Sequence, residues 1–218
     1  MKKMGLCLSY IDHKNGDILV CADTRISYLH GEEVYCVAGN FSKLRRFGDK
    51  VIHIHGLVNV AEAIFNQIKD DSSFEQISEK AREVVRNFKD NLPNVEFTTE
   101  ICVFSIIDGV ATIHKMNDEN DFKAIKFIND LQNIFAIGLK NNEALRYVEN
   151  LYNSDDSNNK AIDDAFYETM VHFSKQYGEY VGGYMQGYII TKDGIQSANV
   201  SIPEDKELKQ IKTILFSC

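Results

Sequence analysis

The chain reads as an α+β protein: two stacked, largely antiparallel sheets with helices on their outer faces. Three observations predict this. Strand-like and helical runs come in blocks, in the order four strands, two helices, four strands, two helices, two strands. Most neighbouring strands are joined by tight-turn signals, which favour antiparallel pairing. Helix pairs separated by strand blocks fit helical layers packed over sheets. No segment has the composition of a domain linker, and 218 residues suit one domain with a sizeable core. Residues 1–218 are therefore expected to form one domain, with 1–4 an N-terminal extension and 201–218 a C-terminal segment.

The first two strands are 5–12 and 17–23, joined across His13-Lys14-Asn15-Gly16, whose Asn-Gly tolerates positive φ. Residues 28–40 form a looser, partly polar stretch. Strands follow at 42–47 and 50–55, turning at Gly48-Asp49 and closing at Gly56. The period then changes. Val60, Ala61, Ile64, Phe65 and Ile68 recur at helical spacing and predict a helix over 57–69. Ser73 with Gln76 forms a capping box for a second helix over 73–90, which stops near Pro93. Strands 98–107 and 110–116 flank Asp108-Gly109, and 122–127 and 133–137 read as two more. A third helix spans 141–152, 154–159 is a polar linker, and Ala161, Ile162, Ala165, Phe166, Met170 and Phe173 mark a fourth helix. A hairpin of 184–191 and 195–200 turns at Lys192-Asp193-Gly194. The segment 203–218, charged and then apolar, carries no pattern that assigns it.

Composition excludes several functions. The net charge is −8 with no block of Lys and Arg, which argues against a surface that tracks nucleic-acid phosphates. The five cysteines (7, 21, 36, 102 and 218) are odd in number and make no CxxC pair, so neither a disulfide framework nor a zinc site is indicated. His53 and His55 alternate on one strand and share a face, but no third ligand is near in sequence, and no metal or other cofactor is expected. No run is long enough for a membrane span. The apolar part of Met4 to Leu8 is too short for a secretory signal, so the chain is expected to be cytoplasmic. Nothing matches GxxxxGK[ST], so energy-dependent unfolding of a substrate would need another protein.

The segment Asp17-Ile18-Leu19-Val20-Cys21-Ala22-Asp23-Thr24-Arg25 is the most informative. Its apolar run suits a strand covered on both faces, and the strand delivers a carboxylate to the rim of the core. A carboxylate there needs a cationic or hydrogen-bonding partner unless it is solvated.

These residues carry a resemblance. Gly16 to Arg25 is similar to the Gly, apolar strand, Ala-Asp-Ser/Thr-Arg run of proteasome-type N-terminal-nucleophile hydrolases. Ser42-Lys43-Leu44-Arg45-Arg46-Phe47, followed by a strand into His55-Gly56, resembles the family's lysine strand. Glu62 stands near its acidic helix position, and Gly178 to Gly183 resembles the loop before its penultimate strand. Within the family, the bacterial proteasome-related group Anbu looks nearest. The resemblance implies a four-layer αββα sandwich. It also implies Asp23 as an anchoring acid, Lys43 as the lysine that lowers the nucleophile's pKa, and Gly56 as the oxyanion glycine. It further implies self-assembly with identical subunits through the helix pair of 57–90, and a polypeptide substrate if the chain is active.

The nucleophile departs from that pattern, since no threonine precedes Thr24. Two registers compete. Counting back sixteen residues from Asp23, the family's usual separation, lands on Cys7. Matching the first strand instead puts Gly5 at the nucleophile position and Cys7 on an interior site. Serines expected by resemblance appear as Leu139 and Val181, and an expected aspartate falls on Gly178, with Glu179 beside it. Two functions stay open: peptide-bond hydrolysis in a self-compartmentalising homo-oligomer, and a non-catalytic subunit of the same fold acting in assembly or binding. An unrelated αββα amidohydrolase with an N-terminal cysteine is a more distant third.

Overall fold

The computed structural model describes residues 5–30, 33–126, 133–153, 160–203 and 210–211. Six strands come first: β1 (Leu6–Asp12), β2 (Asp17–Asp23), β3 (Arg25–His30), β4 (Glu33–Asn40), β5 (Leu44–Phe47) and β6 (Lys50–His55). Helices α1 (Val58–Phe65) and α2 (Phe74–Asn91) follow. Next come β7 (Glu100–Ile107), β8 (Val110–Asn117), β9 (Ile125–Lys126) and β10 (Ile134–Gly138), then α3 (Asn141–Tyr152) and α4 (Ile162–Gln176). The last described strands are β11 (Tyr184–Thr191), β12 (Gly194–Ser201) and β13 (Gln210–Ile211).

Two five-stranded sheets result, ordered β10-β1-β2-β11-β12 and β5-β6-β7-β8-β9. Every neighbouring pair in them is antiparallel. Alternation along each strand assigns its side chains to layers. On β1, Leu6 and Leu8 pack against Ala144, Val148, Phe166, Met170 and Phe173 of α3 and α4. Cys7 and Ile11 point the other way, into a core shared with Val51, Cys102, Phe104 and Ile113 of the second sheet. On β6, Ile52 and Ile54 meet Val60, Ile64, Ile77, Ala81 and Val84 of α1 and α2. The order of layers is thus helix, sheet, sheet, helix. Each fully buried large side chain in these cores contributes roughly 1.5–3 kcal/mol of transfer free energy.

Local chemistry sets the ends of α2. The Ser73 hydroxyl accepts from the Gln76 N–H (3.3 Å), and the Gln76 side chain accepts from the Ser73 N–H (2.8 Å), the reciprocal box expected from the sequence. Leu92 caps the other end, one residue before Pro93.

Several elements differ from expectation. The stretch 28–40 is not a loose connection. It contributes to the β3–β4 hairpin, which with β13 makes a separate three-stranded sheet; β13 pairs with β4 in parallel. The strand expected over 42–47 begins at Leu44, because Ser42 Oγ bonds to the Leu44 carbonyl (2.6 Å) and to Gln186 Oε1 (3.0 Å). The first helix ends at Phe65, not 69. Gln67 and Ile68 donate to carbonyls three residues back, so the chain turns there, while Ile68 stays in the core and prolongs the apolar period. Of the described residues 122–126, only Ile125–Lys126 pairs as a strand; Asp121 and Phe122 have φ of +55° and +56°, which breaks extension. The linker at 154–159 and most of 203–218 lie outside the described residues. Among the described residues no helix is long and apolar enough to cross a membrane.

Candidate active site

Asp23 ends β2 at the rim where β1 begins, and its side chain is completely buried. Five hydrogen bonds from four segments hold it. Oδ1 accepts from the Leu6 N–H (2.8 Å) and from Lys43 Nζ (2.9 Å). Oδ2 accepts from Lys43 Nζ (2.9 Å), the Arg25 N–H (3.0 Å) and the Gly182 N–H (3.4 Å). A buried carboxylate is tolerable on these terms, since its charge is paired and its lone pairs are used. Lys43 precedes β5, and its side chain is 12% exposed, so the ion pair is closed on the aspartate side and open on the lysine side.

The opening holds Gly5. A Cβ on Gly5 would stand 2.5 Å from Lys43 Nζ and 3.0 Å from Asp23 Oδ1, and the residue has φ of +83°. Both facts favour glycine there. The Gly5 carbonyl accepts from the Leu139 N–H at 2.7 Å. Gly138, just before it, packs so closely on Gly5 that a Cβ would run into the Gly5 carbonyl, with His55 Cε1 3.6 Å away. The start of β1, the end of β2, the end of β6 and the end of β10 therefore meet at one rim.

His53 and His55 lie on one face of β6, ring centroids 6.4 Å apart. His53 is buried, and its Nδ1 meets no hydrogen-bond partner among the described residues. Burial, then the neighbouring His55 and Lys43, hold its pKa well below the usual histidine range, so it is neutral near pH 7. Among the described residues no group of three or more His, Cys, Asp or Glu could hold a metal ion.

Gly56 follows β6 and precedes Leu57, the N-cap of α1. A Cβ on it would fall 2.9 Å from the Thr98 carbonyl and 3.3 Å from Thr99 Oγ1, and its φ is +149°, again a glycine position. The α1 N-terminus has no side-chain cap and no acidic residue in its first turn.

Cys7 lies two residues past Gly5, wholly buried between the sheets. Burial, then Cys21, Cys102 and Asp23, push its thiol pKa well up, against a smaller lowering by Lys43. The thiol is protonated at neutral pH and out of solvent's reach. Ser9, further along β1, is also buried, its hydroxyl without a partner among the described residues.

The structure brings Asp23, Lys43 and Gly5 together, and sets Cys7 in the core. Leu139 touches the site through its backbone, Val181 is buried, and Gly182 packs against the Arg25 guanidinium with no room for a Cβ. Glu62 pairs with Arg45, whose guanidinium lies over the Phe65 ring at 4.4 Å, tying β5 to α1. Sequence reasoning placed His53 and His55 on one face but did not bring His55 to the site. Its position next to Gly56 was the available signal.

No protein-family model matches the chain, and no curated protein matches it in sequence. The structure is similar to that of Anbu from Hyphomicrobium sp. strain MC1, with a TM-score of 0.56 over 92% of this chain and 89% of that one, at 14% identity. The fold is the proteasome-type N-terminal-nucleophile fold. In this proteasome-type layout the polar groups gather at one rim because four strand ends and the Gly182 turn converge there, while the strand middles are apolar on both faces.

Proposed function

We propose that this chain is a proteasome-fold subunit that assembles with copies of itself and does not cleave peptides through a side-chain nucleophile at the head of β1. One observation carries the reading: the residue against the Asp23–Lys43 pair is Gly5, which has no side chain to activate. In the proteasome-type mechanism a Thr, Ser or Cys at that place attacks the carbonyl, its α-amine takes the proton, and the lysine lowers the pKa of the attacking group. Here the acid, the lysine and the glycine at the start of α1 are present without that group. The alternative nucleophile, Cys7, would have to leave the core between the sheets and lose the preceding residues to gain a free amine. The fold likeness to Anbu supports assembly, and the helix layer of α1 and α2 is the contact surface this reading favours.

The test is hydrolysis of a fluorogenic peptide panel by the full chain, with intact mass recorded before and after. The expected result is no turnover above that of Lys43→Ala, with residues 1–6 retained. Turnover that Lys43→Ala abolishes would overturn the reading. Turnover that appears only when the chain begins at Cys7, and is lost in Cys7→Ala, would transfer the nucleophile's role to Cys7.

A further inference from the structure

Asn15-Gly16 is the one Asn-Gly pair in the chain, and it lies in the turn from β1 to β2 with Asn15 exposed. Asn-Gly is chemically labile as well as turn-forming, because glycine carries no side chain to shield its amide nitrogen. That nitrogen attacks Cγ of the asparagine. The new C–N bond closes a succinimide, the bond to Nδ2 breaks, and ammonia leaves carrying the amide proton. Water then opens the ring at either carbonyl, leaving aspartate or isoaspartate.

Asp12 holds both reacting groups. The Gly16 N–H, whose proton must be lost, donates to the Asp12 carbonyl at 2.7 Å. The Asn15 carboxamide, whose Nδ2 must leave, donates to Asp12 Oδ2 at 2.7 Å. Oδ1 of the same carboxylate accepts from the Lys14 N–H (2.9 Å) and the Asn15 N–H (3.2 Å), which pins the turn backbone. The tip also rests on the neighbouring turn, since a Cβ on Gly16 would stand 3.4 Å from the Gly109 carbonyl. The pairing of β1 with β2 begins here, at Asp12 with Asp17. Isoaspartate would add a backbone methylene at this point, and either product would set a second carboxylate against that of Asp12. The other ends of the same strands deliver Leu6 and Asp23, whose hydrogen bond is part of the rim.

We propose that Asp12 guards Asn15 against deamidation, keeping a latent modification site closed while the hairpin is folded. Succinimide closure requires the Gly16 N–H to leave the Asp12 carbonyl and the carboxamide to turn away from the Asp12 carboxylate, so the reaction waits on local opening of the turn. The bond to the carboxamide is charge-assisted, since an exposed aspartate is ionised at neutral pH, and such bonds are stronger than neutral ones. The inference goes beyond the reading above and holds whether or not the chain cleaves peptides or assembles.

The test is ageing of the full chain in mildly alkaline buffer, with the amide, aspartate and isoaspartate forms at position 15 separated by peptide mapping and mass spectrometry. A synthetic peptide of residues 10–19 gives the rate of the unguarded sequence. The full chain should convert roughly tenfold or more slowly than the peptide, and Asp12→Ala should raise its rate about fivefold or more, the loss of one charge-assisted hydrogen bond. Circular dichroism checks that the variant is folded. Asp12→Ser, which keeps an acceptor for the turn backbone but lacks the second oxygen that holds the carboxamide, is the second variant should the first fold poorly, and it should also convert faster. A full chain that converts as fast as the peptide overturns the proposal, as does a folded Asp12→Ala or Asp12→Ser chain that keeps the wild-type rate. Amide hydrogen exchange supplies a reading that needs no variant: a Gly16 amide that exchanges at the rate of an unfolded chain also overturns it.

Discussion

Asp23→Ala probes the site most directly. It removes a fully buried carboxylate that accepts five hydrogen bonds. It leaves the Lys43 ammonium, with a side chain only 12% exposed, next to Gly5 without a counter-charge. Three backbone N–H groups, on Leu6, Arg25 and Gly182, lose their acceptor at the same time. Removing one partner of a buried pair costs about 3–5 kcal/mol. Water reaches the lysine side, which draws the expectation toward the lower end of that span. For a chain of this size each kcal/mol moves the melting temperature by about 2–4 °C. Melting followed by circular dichroism at neutral pH should therefore show a fall on the order of 10 °C. The double variant with Lys43→Met should cost less than the sum of the single changes, by about 1–3 kcal/mol, because the stranded charge is gone. A fall below about 2 °C, or additive single effects, would refute the argument that the pair holds the rim together.

Stability should decline as pH drops. The folded-state pKa of His53 is depressed by burial, so the unfolded chain binds the extra proton first. Stability is full above the unfolded value near 6.5 and is lost as pH falls below it, with a slope of at most about 1.4 kcal/mol per pH unit from this group. His53→Gln should flatten thermal melts recorded from pH 7.5 to 5; an unchanged slope would remove His53 as the cause. Native alkylation with iodoacetamide, mapped by mass spectrometry, should leave Cys7, Cys21 and Cys102 unmodified, since all three are buried and burial raises each thiol's pKa. Rapid labelling of Cys7 in the folded chain would contradict its position between the sheets. Ser73→Ala breaks the α2 capping box and should cost about 1 kcal/mol in urea unfolding; no measurable loss would mean that the first turn of α2 is held by packing alone.

The sandwich was legible where burial writes a period into the sequence. β1, β2, β6 and β7 alternate between two cores, and α2 shows one clean apolar face. The hairpin of β3 and β4 was not legible. It stands in a separate small sheet, and its register shifts between Arg25 and Ile26. The extension of the first helix to residue 69 failed for a different reason: Ile68 is buried by a turn, and a burial pattern does not distinguish a turn from a further helical residue. At the site, Asp23 stood out because a carboxylate at the end of an apolar strand needs a partner, and Lys43 through the resemblance of its segment to the family's lysine strand. The convergence of Gly5, Gly138 and His55 depends on backbone approach between β1, β6 and β10, and a glycine's neighbours cannot be read from its own sequence context.

The Asp23–Lys43 pair also has work that is independent of bond cleavage. Through its two oxygens Asp23 joins the start of β1, the start of β3, the approach to β5 and the Gly182 turn, none of which is covalently close to another. A chain that cleaves nothing still needs those segments held at the rim, because the backbone N–H groups of Leu6, Arg25 and Gly182 all donate to Asp23 there. The presence of the pair therefore fits a cleaving subunit and a silent one equally well, and it cannot by itself argue for catalysis. Gly5 can argue against it. Any activated hydroxyl or thiol at that place must begin at a Cβ, and the point where that atom would sit is already within 2.5 Å of the lysine nitrogen. Placing an attacking group there would require Lys43 to withdraw and the backbone at residue 5 to leave its positive φ, which is a different local structure from the one this sequence builds.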